Sequence, residues 1–166
     1  MDIKEYRVTK YDPSRRDADG VYWDDDWTLF SDIGKSDRNG VLTLEEYERV
    51  ETAYVQTAID FIVESGGSSL SAVRISTVGN PKLDFDPTLP LEGPLLSNVI
   101  RNRLREKYFL HFEDQAGRFL HFGWDYYMFV GVPVACPLAE AAAHQRGLFV
   151  EEFESPFHEP DDADWT

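Results

Sequence analysis

The sequence predicts a single α+β domain: a mixed or antiparallel sheet with two to three helices packed on one face. One long segment has the apolar spacing of an amphipathic helix, and several short segments alternate apolar and polar residues as strands do. Their order, roughly ββ(β)-α-β-α-ββ-α-β, suits helices layered on a sheet. The 166 residues fit one domain. We expect it to span residues 1–157, followed by an acidic, mobile tail over residues 158–166.

Strand-like segments come before the first helix. Residues Tyr6–Tyr11 alternate large and polar side chains, which predicts a short strand. A polar loop then runs to Gly20. Residues Val21–Ile33 are rich in aromatic side chains but carry three carboxylates in a row at Asp24–Asp26, a pattern that predicts strand, turn, strand. A second loop is expected over residues 34–40.

The best-defined element is a helix predicted over residues 44–64. Thr43 and Glu46 have the spacing of a capping box, in which each side chain bonds the other residue's backbone amide. Apolar residues then recur at three- and four-residue steps as far as Ile62, which makes one apolar stripe. Ser65 and the two glycines that follow it predict the end of this helix.

The second half of the chain predicts shorter elements separated by turns. Four prolines between Asn80 and Pro94 indicate a long irregular connection. Gly123, inside an otherwise strand-like run, predicts a bulge. The predicted elements are a strand over Leu70–Val78, a helix over Leu95–Arg105, strands over Lys107–Glu113 and Arg118–Val132, a helix over Leu138–Gln145 and a strand over Leu148–Phe153.

The charge of the chain restricts its partners. It has 31 acidic and 16 basic residues, a net charge of -15, yet 42% of it is hydrophobic, which indicates a folded protein. A strongly negative surface repels nucleic acid and anionic membranes and attracts basic proteins. No apolar run is long enough for a membrane span, and the charged N-terminus lacks the apolar stretch of a signal peptide. The single Cys136 allows no intrachain disulfide. We therefore expect a soluble, cytoplasmic protein.

Two features of the sequence resemble parts of functional sites but lack what such sites require. Residues 37–46 resemble the second half of an EF-hand calcium loop, but Lys35 falls at the first ligand position, where a carboxylate is required. Cys136, among apolar residues, is typical of a core position. The chain has neither a Gly-x-Ser-x-Gly motif nor a phosphate-binding glycine loop. We predict no enzymatic activity, no cofactor and no metal.

A histidine pair supplies an alternative hypothesis. His111 and His121 lie on consecutive predicted strands, opposite each other, and Glu113 is two residues along on the same face. Such a pair binds zinc when a third and usually a fourth ligand are present. The favoured interpretation is an aromatic ladder in which Phe109 and Phe119 pack with the histidines across the strands. A small metal-binding or enzymatic domain using His111, His121 and Glu113 is the alternative.

One segment predicts a partner-binding surface. Three adjacent carboxylates repel one another and should project into solvent at a turn, whereas flanking tryptophans are costly to expose. Aromatic anchors ringed by charge are typical of protein-binding hot spots; the alternative is that both tryptophans are core residues beside a solvated turn. The predicted partner-binding residues are Trp23, Asp24, Asp25, Asp26 and Trp27, together with the nearby Asp32 and Asp37.

Four stretches, taken together, resemble a known class of protein: Trp27–Gly34 (WTLFSDIG), Leu42–Tyr47 (LTLEEY), Gly123–Met128 (GWDYYM) and Gly147–Glu151 (GLFVE). They are similar to small bacterial immunity-type proteins encoded beside polymorphic or contact-dependent toxins. The resemblance covers about residues 5–157 and assigns no functional residues. It implies a cytoplasmic, non-enzymatic protein that binds and blocks one toxin domain.

The charge points to the same function independently. Toxins that cleave nucleic acid are often basic because their substrate is a polyanion, and an acidic inhibitor uses that charge to speed encounter. The first hypothesis is therefore an immunity protein for a basic toxin. An acidic mimic of nucleic acid is a further alternative, which would displace DNA from several unrelated basic proteins.

Overall fold

The computed structural model describes residues 2–159, and the α+β prediction is confirmed. A seven-stranded sheet, a small two-stranded sheet and three helices make up this part of the chain. The helices are α1 (Leu44–Glu64), α2 (Gly93–Leu104) and α3 (Pro137–Gln145). The strands are β1 (Lys4–Thr9), β2 (Ser36–Asp37), β3 (Gly40–Val41), β4 (Ser69–Val73), β5 (Leu91–Glu92), β6 (His111–Glu113), β7 (Phe119–Phe122), β8 (Met128–Val132) and β9 (Phe149–Glu152). Residues 160–166 of the predicted tail lie outside the described residues.

The large sheet has the strand order β5-β4-β6-β7-β8-β1-β9. Each pairing among these strands is antiparallel. The first strand of the chain lies between β8 and the last strand, so that Tyr6 pairs with Val130 on one side and Glu152 on the other. Strands distant in sequence therefore meet near one edge of the sheet.

One face of the sheet carries the hydrophobic core. A row of paired residues across five strands (Ala72, Phe112, Leu120, Val130 and Tyr6) belongs to the same buried cluster as the apolar residues of the helices. The central helix, α1, packs against both α2 and α3. The opposite face of the sheet carries the alternate residues, including the two histidines of the predicted pair, and no helix covers it among the described residues.

The first helix has the bounds that the sequence predicts, residues 44–64. The Thr43 hydroxyl accepts a hydrogen bond from the Glu46 amide at 3.1 Å, as expected of an N-cap. The Glu46 carboxylate, in contrast, binds the Arg49 guanidinium at 2.6 and 2.9 Å. The cap is therefore formed by the threonine, and the glutamate makes a helix-surface ion pair.

The prediction of strand, turn, strand over Val21–Ile33 is wrong. Within it Tyr22 makes an isolated bridge with Arg16, and the paired strands β2 and β3 lie in the segment predicted to be loop. The Asp32 carboxylate accepts hydrogen bonds from the Thr28 and Leu29 amides at 2.9 and 3.1 Å. Hydrogen bonds from backbone amides to an aspartate side chain replace the strand-to-strand bonds here, as aspartate side chains often do in turns.

The prediction of one bulged strand over Arg118–Val132 is also wrong, because this run forms two strands, β7 and β8. Gly123 begins the turn between them, and its amide bonds the Tyr127 carbonyl at 2.9 Å. Asp125 and Tyr126 have φ angles of 59° and 69°, a left-handed conformation that is uncommon for such residues. The turn directs the Tyr126 ring into the core, where it contacts Tyr54 with ring centroids 4.8 Å apart.

Most of the other elements overlap their predicted positions, but β5 lies within the predicted irregular connection, and β6 begins at His111 rather than Lys107. β4 ends at Val73 rather than Val78, because the next residue, Arg74, takes a left-handed φ of 49°. α2 begins at Gly93, two residues before the predicted start, with Pro94 in its first turn. Within residues 2–159, no helix combines the length and the apolar character that crossing a membrane requires.

Candidate functional site

The seven predicted partner-binding residues all lie in the segment between Tyr22 and Val41, which we call the acidic loop. Its two tryptophans occupy different environments. Trp27 is 8% exposed and packs against Tyr47 and Tyr126, with ring centroids 5.2 and 5.0 Å apart. Trp23 is 60% exposed, and the Arg15 guanidinium lies 5.7 Å from its ring centroid. Trp27 therefore anchors the loop in the core, while Trp23 is available at the surface.

The three adjacent carboxylates do not all project into solvent as expected. Asp24 forms ion pairs with Arg15 and with Arg38, the latter at 3.4 Å. Asp26 binds Arg38 at 2.6 Å and accepts a hydrogen bond from the Tyr22 hydroxyl. Asp25 points outward, and its carboxylate has no ion pair or hydrogen bond within residues 2–159. Arg15, before the acidic loop, and Arg38, within it, therefore neutralise the first and third carboxylates.

The hydrogen bonds around Asp26 keep it ionised. Partial burial favours the neutral acid, but the bonds from Arg38 and Tyr22 outweigh burial and lower the pKa of this carboxyl. Asp37 is also structural: it accepts hydrogen bonds from the Trp27 amide at 3.1 Å and from the Asn39 amide at 2.8 Å. With Asp32 holding the Thr28 and Leu29 amides, four of the five predicted aspartates stabilise the loop itself.

Lys10 lies beneath the acidic loop and was not singled out from the sequence. Its Nζ lies 4.3 Å from the Tyr11 ring centroid and 4.2 Å from that of Trp27. Burial lowers the pKa of this ammonium to about 8, against the opposing attraction of Asp26 and Asp37. Lys10 has no distinctive sequence signal, because one of the two rings that it contacts, that of Trp27, comes from a later segment of the chain.

The cleft beside this loop is too small for an organic ligand. It is lined by Asp25, Asp26, Trp27, Asp32, Lys35, Ser36 and Asp37, and its volume is about 130 Å³. Small-molecule sites are typically about 300–1,000 Å³ and mostly apolar. The geometry therefore suits contact with a macromolecular surface better than capture of a metabolite.

The histidine pair is formed, with ring centroids 4.8 Å apart. Both rings are already engaged: His111 Nδ1 accepts the Phe122 amide at 3.2 Å, and His121 Nδ1 lies 2.7 Å from the Ser155 hydroxyl. Burial lowers the pKa of His111 to about 2 and that of His121 to about 3, so both are neutral at pH 7.

Neither the histidine pair nor the cysteine offers a formed reactive centre. Glu113 is exposed, and within residues 2–159 no three His, Cys, Asp or Glu side chains come together as a metal site. Cys136 is buried, and burial raises the pKa of its thiol to about 11, which leaves little of the reactive thiolate at pH 7.

Comparisons of the chain with protein-family models, with curated proteins and with solved structures found no match. The arrangement of the chain's own residues is what bears on its function. In the acidic loop, that arrangement is one exposed tryptophan, Trp23, beside one carboxylate without a partner in residues 2–159, Asp25, on a backbone held by ion pairs and by bonds to its amides.

Proposed function

We propose that this chain is a cytoplasmic, non-enzymatic immunity protein that binds and neutralises one basic toxin domain through the acidic loop. The observation that carries the proposal is the 60% exposure of Trp23 on a braced loop. A large exposed aromatic side chain next to charge is the usual composition of a binding hot spot. A loop that is already ordered loses little conformational entropy when it binds, which favours affinity.

Charge supports a basic partner. The chain carries a net charge of -15, and such a field speeds encounter with a positively charged surface. Nucleases are the toxin class that this charge suits best, since they must bind a polyanion. In this proposal Trp23 and Asp25 contact the toxin directly, whereas Asp24, Asp26, Trp27, Asp32 and Asp37 hold the loop in its binding conformation.

Two variants test direct contact with the toxin without removing the residues that hold the loop. Trp23→Ala should weaken toxin binding by about 30-fold or more, the loss of roughly 2 kcal/mol expected at a hot spot. Asp25→Asn should lower the association rate and flatten its dependence on salt. Replacing all three of Asp24–Asp26 would be less informative, because two of them hold the loop through Arg38.

The experiment begins with capture of partners from native lysate at rising salt, followed by binding kinetics with the purified partner and a test of protection on co-expression. Glu92→Gln is the matched control, because Glu92 is an exposed acid away from the acidic loop. Arg105, which lies over Phe30 of that loop, follows the last residue of α2, whereas Glu92 precedes its first. One basic toxin, bound by the wild type and by Glu92→Gln but released by Trp23→Ala, is the expected result. Undiminished binding by Trp23→Ala would exclude the acidic loop as the contact surface.

A further inference from the structure

A short segment near the end of the described chain covers the face of the sheet opposite the helices. We call it the C-terminal strap, residues Phe153–His158. Two backbone amides of the strap bind Glu5 on β1: the Phe153 amide donates to the Glu5 carbonyl at 3.1 Å, and the Ser155 amide donates to the Glu5 carboxylate at 2.8 Å. The His158 ring also contacts that carboxylate, with Nε2 and Oε1 2.5 Å apart.

The strap also binds His121 in a defined protonation state. His121 Nδ1 lies 2.7 Å from the Ser155 hydroxyl, and Nε2 lies 3.4 Å from the Arg74 guanidinium, which also donates to the Phe157 carbonyl. A guanidinium only donates hydrogen bonds. His121 Nε2 is therefore the acceptor, and Nδ1 carries the proton and donates it to Ser155. This arrangement requires a neutral imidazole.

Aromatic rings of the strap also pack against the face of the sheet that carries the histidines. Phe157 lies against His111 and Phe129, with ring centroids 5.4 and 5.7 Å apart, and His158 contacts the edge of Phe119 at 5.2 Å. The Ser155 hydroxyl accepts the Phe157 amide at 3.2 Å, which fixes the turn of the strap over the histidines. Removing the strap would expose this aromatic face to water.

We propose that the C-terminal strap is an acid-released clasp, which opens when His121 takes up a second proton and uncovers the histidine face of the sheet. Protonation removes the acceptor that faces Arg74 and places two cations within 3.4 Å of each other. The groups that surround His121 include few that would stabilise the new charge. The titratable and charged groups around the ring are Arg74 at the end of β4, His111 and Glu113 on β6, Asp114 and Arg118 in the turn before β7, Glu5 and Arg7 on β1, and His158 on the strap.

Two of these groups oppose release. The His158 ring holds the strap through its contact with Glu5, although the same ring lowers the pKa of His121, and Glu113 lies on the neighbouring strand. Neither relieves the contact between Arg74 and a charged His121, and Arg118 is already neutralised by Asp114 at 2.9 Å. The balance of charges around the ring therefore favours opening.

The size of the effect follows from linkage. While the strap is closed, burial holds the pKa of His121 at about 3; in an open, solvated state a histidine has a pKa of about 6.5. Between these two pH values the open state binds one proton more than the closed state. Each unit decrease in pH therefore shifts the equilibrium about tenfold toward release.

The test measures amide hydrogen exchange by NMR in the full-length protein from pH 6.5 to 4.5, with intrinsic exchange rates divided out. The Ser155 and Phe157 amides, which the strap bonds engage, should lose protection by about tenfold per pH unit. They should open by a local step, so that Ala58 in the centre of α1 exchanges far more slowly at each pH. Loss of protection at Ser155 and Phe157 only together with Ala58 would indicate global unfolding and overturn the proposal.

Variants identify the responsible group. His121→Asn keeps a donor near the Nδ1 position for Ser155 but cannot be protonated, so the pH dependence of the strap amides should disappear. His144→Gln replaces an exposed histidine on α3 and should leave it unchanged. An unchanged slope in His121→Asn would contradict the proposal. In the wild type, direct titration of the His121 ring with a midpoint near 6.5 while the strap remains protected would overturn it as well.

Discussion

Glu51 shows how one residue of α1 holds two helices together. Its carboxylate is fully buried and binds two arginines of the α2 region: Arg101, and Arg105 at 2.7 and 2.8 Å. Both guanidiniums keep one side in solvent, with 30% and 20% of their side chains exposed. The anion is thus desolvated and compensated by two cations, an arrangement whose stability depends on all its members.

Glu51→Gln should lower the free energy of unfolding by about 3 kcal/mol. Removing one member of a buried ion pair typically costs about 3–5 kcal/mol, and the partial exposure of both arginines places this site at the lower end. Urea unfolding would show the loss as a lower midpoint with an unchanged slope. Glu48→Gln is the control, because Glu48 is 51% exposed and 3.8 Å from Arg105. Equal midpoints for the two variants would contradict this account.

At the scale of elements, an element could be predicted from the sequence when the residues that stabilise it lie close together in the chain. α1 was predicted at its observed bounds because its cap and its apolar stripe are local features of sequence. The turn over Gly123–Tyr127 was missed because a core contact, that of Tyr126 with Tyr54, sustains its left-handed residues. The acidic loop was misassigned for a similar reason: its aspartates bind arginines and amides, which alternation of residue types does not reveal.

The candidate site was therefore predicted in place but not in detail. The sequence placed the charged and aromatic residues together, because they are neighbours in the chain. It did not distinguish the buried Trp27 from the exposed Trp23, because that difference depends on Tyr47 and Tyr126, which come from α1 and a distant turn. Nor did it separate Asp25 from its neighbours, whose arginine partners, Arg15 and Arg38, lie about ten residues away on either side in the chain.

Strand β8 provides a test of packing on the face of the sheet that the strap covers. Gly131 pairs with Phe119, whose ring covers it, so a Cβ at this position would collide with that ring. The ring has little room to move, because it stacks on His121 with centroids 4.1 Å apart. Gly131→Ala should therefore cost about 1–3 kcal/mol of stability.

Gly123→Ala is the matched control for Gly131→Ala. A Cβ at Gly123 would lie 3.4 Å from Phe129 and from Phe157, close to ordinary contact. Its midpoint of urea unfolding should decrease less than that of Gly131→Ala. A reversed order of the two midpoints would show that the Phe119 ring adapts freely.

At the scale of the whole molecule, most arginines of the described residues pair with carboxylates of the same chain, and many of the other acids are exposed. Many arginines of the described residues lie in ion pairs with nearby carboxylates, namely Arg7, Arg15, Arg16, Arg38, Arg49, Arg101, Arg105, Arg118 and Arg146. With 31 acidic and 16 basic residues in the chain, the remaining carboxylates repel one another. Such self-repulsion destabilises a compact state and is screened by salt.

Sodium chloride should therefore stabilise the protein. Raising its concentration from about 0.02 M to 0.3 M shortens the Debye length from roughly 20 Å to about 6 Å, and we expect Tm to rise by roughly 2–5 °C. Differential scanning calorimetry at fixed pH measures this directly. A decrease in Tm would mean that screening of the ion pairs outweighs relief of the repulsion.

The position of β1 between β8 and β9 has a consequence for how the chain folds. Among the strands of this sheet β1 comes first in the chain and its two neighbours come last, so Tyr6 and Val8 can pair only after β8 and β9 have been made. Closing so long a loop costs entropy before any contact repays it, and topologies dominated by distant pairings fold slowly. The sheet can be completed only once β9 has been synthesised, and until then the buried positions of β1 remain open to other contacts.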